Sequence, residues 1–289
     1  MLEHAELYWW RNSPGPPIII DNAEMLTKEI RDDSPTDGEI QVAVAELTNG
    51  RSAGVSQMRA EHLKEWLKGA KLEEDPEKGP NNVGAGKEWE ALLQLVQAIW
   101  EEGRIPSQLG WVVTVLIPKG GSNYRRIGLL EPIWKVIEWV IDKRLKAIAL
   151  HDSLHGCCNG WGTGTAVIEA KLWQQLAHIE QAPFYGVFID LKKAFDAMDR
   201  ERCLLILEGH GAGPNMCRLI RHFWDEATNV CRASGNYGTP FKAGRDVTQG
   251  GPLSAKFFHI MVDVVVQKWM CLFGRSGKWK VRRRRSSTS

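Results

Sequence analysis

The first candidate for chemistry is a carboxylate, Asp190, in the run FIDLKKAFDAMD at residues 188–199. The mostly apolar residues Phe184–Ile189 predict a buried strand, and Asp190 follows at its exit. A carboxylate at the end of a buried strand is held rigidly, as a Mg²⁺ ligand must be. Phosphoryl transfer with two metal ions about 4 Å apart needs more than one Asp, so a second acidic site has to come from elsewhere. The alternative is that Asp190 only caps the next helix.

The second candidate is the run VTQGGPLSAKFF at residues 247–258, in which two glycines precede a proline. Gly250 and Gly251 allow close approach of the backbone to a ligand, and Pro252 favours a helix start with free N–H groups. Gln249 adds a polar side chain. The pattern is equally typical of a Gly-Pro turn that only precedes a core helix.

The third candidate is a group of cations within LIPKGGSNYRRIGLLEPIWK, residues 116–135. The apolar run Trp111–Ile117 predicts a buried strand that leads to Lys119, and Arg125 and Arg126 follow a glycine-rich turn. Such cations can bind a polyphosphate. The alternative is a solvated basic loop, which is the usual meaning of such a run.

In this order, the three segments resemble the reverse transcriptase domain of non-LTR (LINE-type) retrotransposons. Two further blocks contribute, a glycine-containing entry at 49–64 and a template-side loop at 155–166, so that the resemblance covers about 35–270. It implies that Asp190 is a catalytic metal ligand, with the Leu191 carbonyl as a further ligand and Asp196 in a lesser role.

The resemblance also implies contacts with the incoming nucleotide. The residues concerned are Lys119 and Arg125 on the triphosphate, Phe195 in the exclusion of ribose, and Gln249 and Gly250 beside template and nucleotide.

The same resemblance implies an α+β fold, the right-hand polymerase architecture with fingers and a partial palm. The expected parts are an N-terminal extension at 1–34, fingers at 35–180, a partial palm at 181–271 and a basic, disordered tail at 272–289. The implied activity is RNA-directed DNA polymerisation with two Mg²⁺ ions. Its partners would be an RNA template, a DNA primer and deoxynucleoside triphosphates.

The sequence departs from the family at the second acidic site, an aromatic-x-Asp-Asp hairpin that follows the Gln249 block by some tens of residues. The only adjacent Asp pair is Asp32-Asp33, far upstream, and no acidic residue follows Asp263. We therefore expect a domain truncated before this motif. The alternative is a catalytically inactive nucleic-acid-binding fragment of a retroelement.

Helix caps and periodicity predict the elements that position these residues. Thr36 and Glu39 have capping-box spacing, Gly103 ends a helix that includes Trp89, and Pro132 starts another. Further helices are predicted near 59–67, 165–179, 200–208, 214–226 and 253–270, with a surface loop at 71–87 and a hairpin of 230–233 with 237–242. Strands and helices mixed without regular alternation favour an α+β fold.

Charge is distributed unevenly along the 289 residues, although the net charge is only +2. The tail at 272–289 has seven basic residues and no acidic one, which leaves 30 basic and 35 acidic residues before it. The tail predicts nucleic-acid binding through counterion release, or else only a solvated charge run.

Neither a membrane span of about 20 apolar residues nor a secretion signal is found in the sequence. Six Cys without a CxxC spacing predict free thiols. An intracellular location, cytoplasm or nucleus, is expected, and no protein partner is implied.

Overall fold

The computed structural model describes residues 29–73, 86–120, 123–156, 160–191, 194–195, 198–233, 235–242 and 250–274. Within them lie eight α-helices: α1 Asp37–Glu46, α2 Ala60–Glu73, α3 Lys87–Glu102, α4 Pro132–Arg144, α5 Thr163–Ile179, α6 Arg200–Gly209, α7 Pro214–Glu226 and α8 Pro252–Gly274. The five strands are β1 Trp111–Gly120, β2 Asn123–Leu130, β3 Thr228–Ala233, β4 Asn236–Tyr237 and β5 Phe241–Lys242.

The predicted helix boundaries follow from local chemistry. The Thr36 hydroxyl accepts the Glu39 N–H at 3.3 Å, and the Glu39 carboxylate accepts the Thr36 N–H at 3.0 Å, which confirms the capping box of α1. Gly103, with φ 63°, ends α3 in the left-handed region. Pro132 and Pro214 stand in the first turns of α4 and α7, as the sequence predicts.

The sheet has the order β2-β1-β3-β4, and β5 also pairs with β3. β1 and β2 form an antiparallel hairpin in which Thr114 is opposite Gly128 and Ile117 is opposite Arg125. β3 lies parallel to β1, and β4 and β5 pair antiparallel with β3. The predicted β3–β4 hairpin is thereby confirmed, whereas β2 was predicted only as a turn followed by basic residues.

Helix α4 lies at the centre of the core, packed against α1 and α8. Its Trp134 ring stacks on Phe223 of α7 with centroids 3.9 Å apart, and Trp224 of α7 meets Phe257 of α8 edge to face. Burial of such large aromatic surfaces is a main source of stability in a core of this kind. Through α4, the core thus joins α1, which precedes the strands in the sequence, to α8, which follows them.

The buried side chain of Arg144 links the end of α4 to α1 and to the segment that precedes α1. Arg144, at the end of α4, donates two hydrogen bonds to the Glu39 carboxylate at 2.8 and 2.9 Å and one to the Asp33 carbonyl at 2.7 Å. Its guanidinium lies 4.7 Å from the centroid of the Trp100 ring. Burial by itself would raise the pKa of Glu39, but the hydrogen bonds from Arg144 outweigh burial and the pKa is lowered to about 2.

The predicted strand at Phe184–Ile189 is wrong. Residues 182–191 have irregular backbone, and Phe188 is fully exposed at 100%. A strand needs hydrogen bonds from a neighbour and a layer that covers its apolar face. None of the five described strands pairs with this segment, so its backbone has no hydrogen bonds from a neighbouring strand.

Helix α5 has no buried residue, so no other described element covers any of its faces. Its apolar side chains Ile168, Leu172 and Leu176 are exposed and recur every four residues, so that they share one face of the helix. In the described ranges, no helix is long and apolar enough to cross a bilayer. The expected domain boundaries stay predictions, and most of the tail, residues 275–289, lies outside the described residues.

Candidate nucleotide-binding site

The β1–β2 hairpin carries the predicted cations away from the core. Val112, Val113 and Thr114 of β1 are buried, whereas the strand is exposed from Leu116 to Gly120. Arg125 pairs with Ile117, and Lys119 lies in the irregular register between the last two pairs of the hairpin. The structure therefore brings Lys119 and Arg125 together on one exposed hairpin end.

The turn at Gly250 packs on this hairpin. Gly250 has φ +136°, and a Cβ at this position would collide with the carbonyl oxygen of Gly128 in β2. Because Gly128 is three residues from Arg125 in the same strand, the turn lies about 10 Å along β2 from the arginine. Only a glycine permits both the backbone angle and the close approach. Gln249 lies outside the described residues.

Phe195 is placed beside the helix that follows this turn. Its half-buried ring lies 5.4 Å from that of Phe258 in α8, centroid to centroid. Its carbonyl oxygen accepts the Met198 N–H at 3.4 Å. The aromatic ring is therefore held against α8, two turns from the helix start at Pro252. Asp196 lies outside the described residues.

Asp190 and Leu191 are exposed and lie on the irregular segment 182–191 rather than at the end of a strand. Rigid presentation of the Asp190 carboxylate by a strand was thus a wrong expectation for the described structure. In the parts of the chain that the structure describes, no three His, Cys, Asp or Glu side chains are grouped to hold a metal ion. The single carboxylate at Asp190 fits one oxygen ligand of Mg²⁺ but not a two-ion site.

Glu138 of α4 is a residue of this region that the motifs did not indicate. Its carboxylate is buried, and Oε1 accepts the indole N–H of Trp134 at 3.0 Å. Oε2 has no hydrogen-bond partner, and a Cβ on Gly251 would collide with it. Burial raises the pKa of Glu138 to about 8. The signal in the sequence is an acidic residue on the apolar stripe of a helix, four residues after a tryptophan.

A second buried carboxylate precedes the same helix. Glu131, the N-cap residue of α4, accepts the Ser56 N–H at 3.1 Å and the Ser56 hydroxyl. A Cβ on Gly54 would collide with its Oε1. Lys135 lies between the two carboxylates in sequence; burial lowers its pKa, while Glu138 and Glu131 raise it. The glycine-containing segments at 49–64 and 247–258 are thus both packed on acidic side chains of the α4 region.

Comparison with known proteins identifies the family of this chain. Residues 117–275 match the family described as reverse transcriptase (RNA-dependent DNA polymerase). The match includes the hairpin end, the segment around Asp190 and the Gly250 turn. Since it extends over more than half of the chain, the chain belongs to the reverse transcriptase family.

A relative from a transposon is also found. The Transposon TX1 uncharacterized 149 kDa protein of Xenopus laevis is 22% identical over 280 residues. The alignment covers 89% of this chain and 21% of the relative, so the chain spans about a fifth of that protein's length. The two matches confirm the predicted resemblance to the reverse transcriptase domain of a non-LTR retrotransposon. They confirm the α+β reverse transcriptase fold at the level of the family.

Proposed function

We propose that this domain binds an incoming deoxynucleoside triphosphate between the β1–β2 hairpin end and the Gly250 turn, and extends a DNA primer on an RNA template. The observation that supports this best is the packing of Gly250 on Gly128, in the strand that also carries Arg125. It places a backbone turn, a helix N-terminus and an arginine along one strand.

The charges of this region suit a polyphosphate. Lys119 and Arg125 are exposed on the hairpin end, where each can form charge-assisted hydrogen bonds to phosphate oxygens. The N-terminus of α8 follows the turn and adds a partial positive charge. Because its pKa is about 8, Glu138 is mostly protonated at pH 7 and puts no full negative charge beside the turn.

Phe195 is the proposed discriminator against ribose. A ring held against Phe258 presents a rigid apolar face, on which a 2′-hydroxyl loses its hydration without gaining a hydrogen bond. Gln249 and Gly250 are proposed to lie beside template and nucleotide. The fingers region at 35–180 and the partial palm at 181–271 remain the proposed division of the domain.

Asp190, the Leu191 carbonyl and, in a lesser role, Asp196 are the proposed ligands of Mg²⁺. Two Mg²⁺ ions held by such ligands would supply charge neutralisation for phosphoryl transfer. A further acidic residue is needed to complete such a site. The remaining roles, binding of the triphosphate and selection of the sugar, belong to the chain's own side chains.

A second candidate function is that of a catalytically inactive nucleic-acid-binding fragment of a retroelement. The position of Asp190 on exposed, irregular backbone favours it, because catalytic carboxylates need a rigid support. The two candidates share the family and differ in whether a primer is extended.

Primer extension separates these candidates. The chain and its Asp190→Ala variant are incubated with an RNA template, a DNA primer, the four deoxynucleoside triphosphates and Mg²⁺. Extension by the wild type that Asp190→Ala abolishes would support the polymerase function. Extension that survives the substitution would overturn the metal assignment, and RNA binding without extension by either protein would support the inactive fragment.

A further inference from the structure

The Gly250–Gly251 turn is confined from two sides. On one side the backbone of Gly250 lies against the Gly128 carbonyl of β2, and on the other Gly251 lies against the Glu138 carboxyl group of α4. A side chain at either glycine would collide with the neighbouring atoms. The position of the turn relative to the hairpin therefore depends on what α4 presents to Gly251.

Glu138 is an unusual residue to find at this contact. Its side chain is on a core helix that otherwise buries mostly apolar residues, and its Oε2 atom has no hydrogen-bond partner. Burying such an atom costs free energy. A leucine or methionine would fill comparable volume without this cost, so packing alone does not account for a carboxyl group here.

Few groups face this carboxyl group. From α4, Trp134 donates its indole N–H, Lys135 favours the charged form and Asp142 opposes it. From α8, the backbone N–H of Leu253 faces the carboxyl group and favours the charged form. Glu138 thus connects the N-terminal turn of α8 to the middle of α4.

We propose that Glu138 is a positioning residue, whose carboxyl group contacts Gly251 and the first turn of α8 and so holds the Gly250 turn against β2. Its effect on nucleotide binding rests on the proposed function, whereas its effect on the turn does not. Glu131, at the start of the same helix, also lies against a glycine, Gly54, but its carboxylate accepts hydrogen bonds from Ser56.

A double-mutant cycle tests the contact directly. Gly251→Ala adds a Cβ where the Glu138 carboxyl group lies, and Glu138→Ala removes that group. We expect Gly251→Ala alone to speed amide hydrogen exchange in residues 256–260 about tenfold, because their N–H groups bond to carbonyls of the first turns of α8, and the start of the helix is displaced and opens more easily. In the Glu138→Ala background the same added methyl group should have little or no further effect, since the space is then free.

Additive effects of the two substitutions would overturn the proposal, because they would show that the carboxyl group does not set the position of Gly251. Glu131→Ala is the matched control, a buried acidic residue at the start of α4 whose carboxylate accepts hydrogen bonds from Ser56 rather than facing α8. It should leave the effect of Gly251→Ala unchanged. If Glu138→Ala does not fold, the same comparison is made with Glu138→Val, a shorter apolar side chain that also removes the carboxyl group from Gly251.

Glu138→Gln supplies an independent readout. Glutamine stays neutral at every pH, so we expect exchange in residues 256–260 to be the same at pH 7 and pH 9 once corrected for intrinsic rates. In the wild type, ionisation of Glu138 over this interval should speed the exchange, because burial of the charged carboxylate costs more than its contact with the Leu253 N–H returns, and opening of the turn restores hydration. Equal behaviour of the two proteins would count against the proposal.

Nucleotide binding separates failure of this proposal from failure of the proposed function. With an active wild type, Glu138→Ala should raise KM for deoxynucleoside triphosphate about tenfold or more and change kcat less, because the turn is misplaced rather than lost. A wild type that neither binds a nucleotide nor extends a primer would contradict the proposed function. The exchange measurements would still decide the role of Glu138.

Discussion

Lys119 and Arg125 are exposed side chains on a hairpin end, so their replacement removes charge and little packing. We expect Arg125→Ala to weaken binding of deoxythymidine triphosphate about tenfold, which corresponds to the loss of a charged hydrogen bond. Lys119→Ala should weaken it by a similar or smaller factor. Titration calorimetry or fluorescence measures the dissociation constants, and the thermal unfolding midpoint should not move.

Lys68→Ala is the control for these two variants. Lys68 is exposed on α2, which packs on α1 and α3 rather than on the hairpin. Equal weakening by Lys68→Ala would show that net charge, and not the hairpin end, attracts the nucleotide.

The raised pKa of Glu138 predicts that the free energy of unfolding falls as the pH rises. Its folded-state pKa is raised to about 8 from the model-peptide value of 4.5. Between these values the unfolded chain has released a proton that the folded chain keeps. The stabilising contribution is therefore complete below pH 4.5 and is lost as the pH rises towards 8, with a slope of up to about 1.4 kcal/mol per pH unit.

Glu138→Gln should lack this component of the slope. Urea unfolding at pH 5, 6, 7 and 8 measures the free energy of unfolding of both proteins. Asp142, whose pKa burial also raises, is present in both and cancels in the difference. Identical slopes in the two proteins would contradict the prediction.

The Arg144–Glu39 pair is expected to matter more than exposed ion pairs of the same region. Arg144→Leu removes the buried partner of a half-buried carboxylate and should lower the free energy of unfolding by about 2–3 kcal/mol at pH 7. Because the pKa of Glu39 is lowered to about 2, the contribution is present above pH 4.5 and is lost as the pH falls towards 2. Lys143→Ala, which breaks a pair with Glu46 nearer the surface, should cost less than about 1 kcal/mol.

At the scale of elements, the exposed apolar face of α5 is the feature with the clearest consequence. Ile168, Leu172 and Leu176 lie on one face of a helix without a buried residue, and the exposed apolar segment 184–191 follows in the chain. Contiguous exposed apolar surface favours association. We expect the isolated chain to self-associate with rising concentration, as measured by analytical ultracentrifugation.

The double variant Leu172→Glu, Leu176→Glu should reduce this self-association. Gln175→Glu, which adds a charge at an exposed polar position of the same helix, should leave it nearly unchanged. Undiminished association of the double variant would show that this face does not cause it.

Elements with strong local signals were predicted from sequence alone. The capping box at Thr36 and Glu39, the left-handed Gly103 and the proline starts of α4 and α7 depend on residues close in the chain. Strand β2 was not predicted, because its basic residues and its glycine-rich turn are also typical of a solvated loop. It becomes a strand by pairing with β1, a contact that the pattern of its own residues does not specify.

In the segment 184–191, by contrast, a strand was predicted and the structure has none. Its apolar residues have high strand propensity, and yet they lie on irregular, exposed backbone. Propensity describes how a residue fits a half-buried pleated surface and does not supply that surface. The predicted position of Asp190 was wrong for this reason.

For the whole molecule, the distribution of charge predicts how it meets nucleic acid. Residues before 272 carry 30 basic and 35 acidic side chains, and the seven basic residues of the tail account for the positive balance. We expect deletion of 275–289 to flatten the dependence of RNA binding on salt concentration, since fewer counterions are released. A fluorescence-anisotropy titration at several salt concentrations measures the slope, and an unchanged slope would contradict a role for the tail.

The sequence by itself determined the family, most helices and the residues of the hairpin end and the Gly250 turn, because these depend on local motifs and their order along the chain. Only the tertiary structure decided that Gly250 packs on β2, that Glu138 faces Gly251 and that Asp190 lies on exposed backbone. The two glycine contacts join residues more than 100 positions apart, which a local motif does not specify, and Asp190 is exposed because no described strand pairs with its segment.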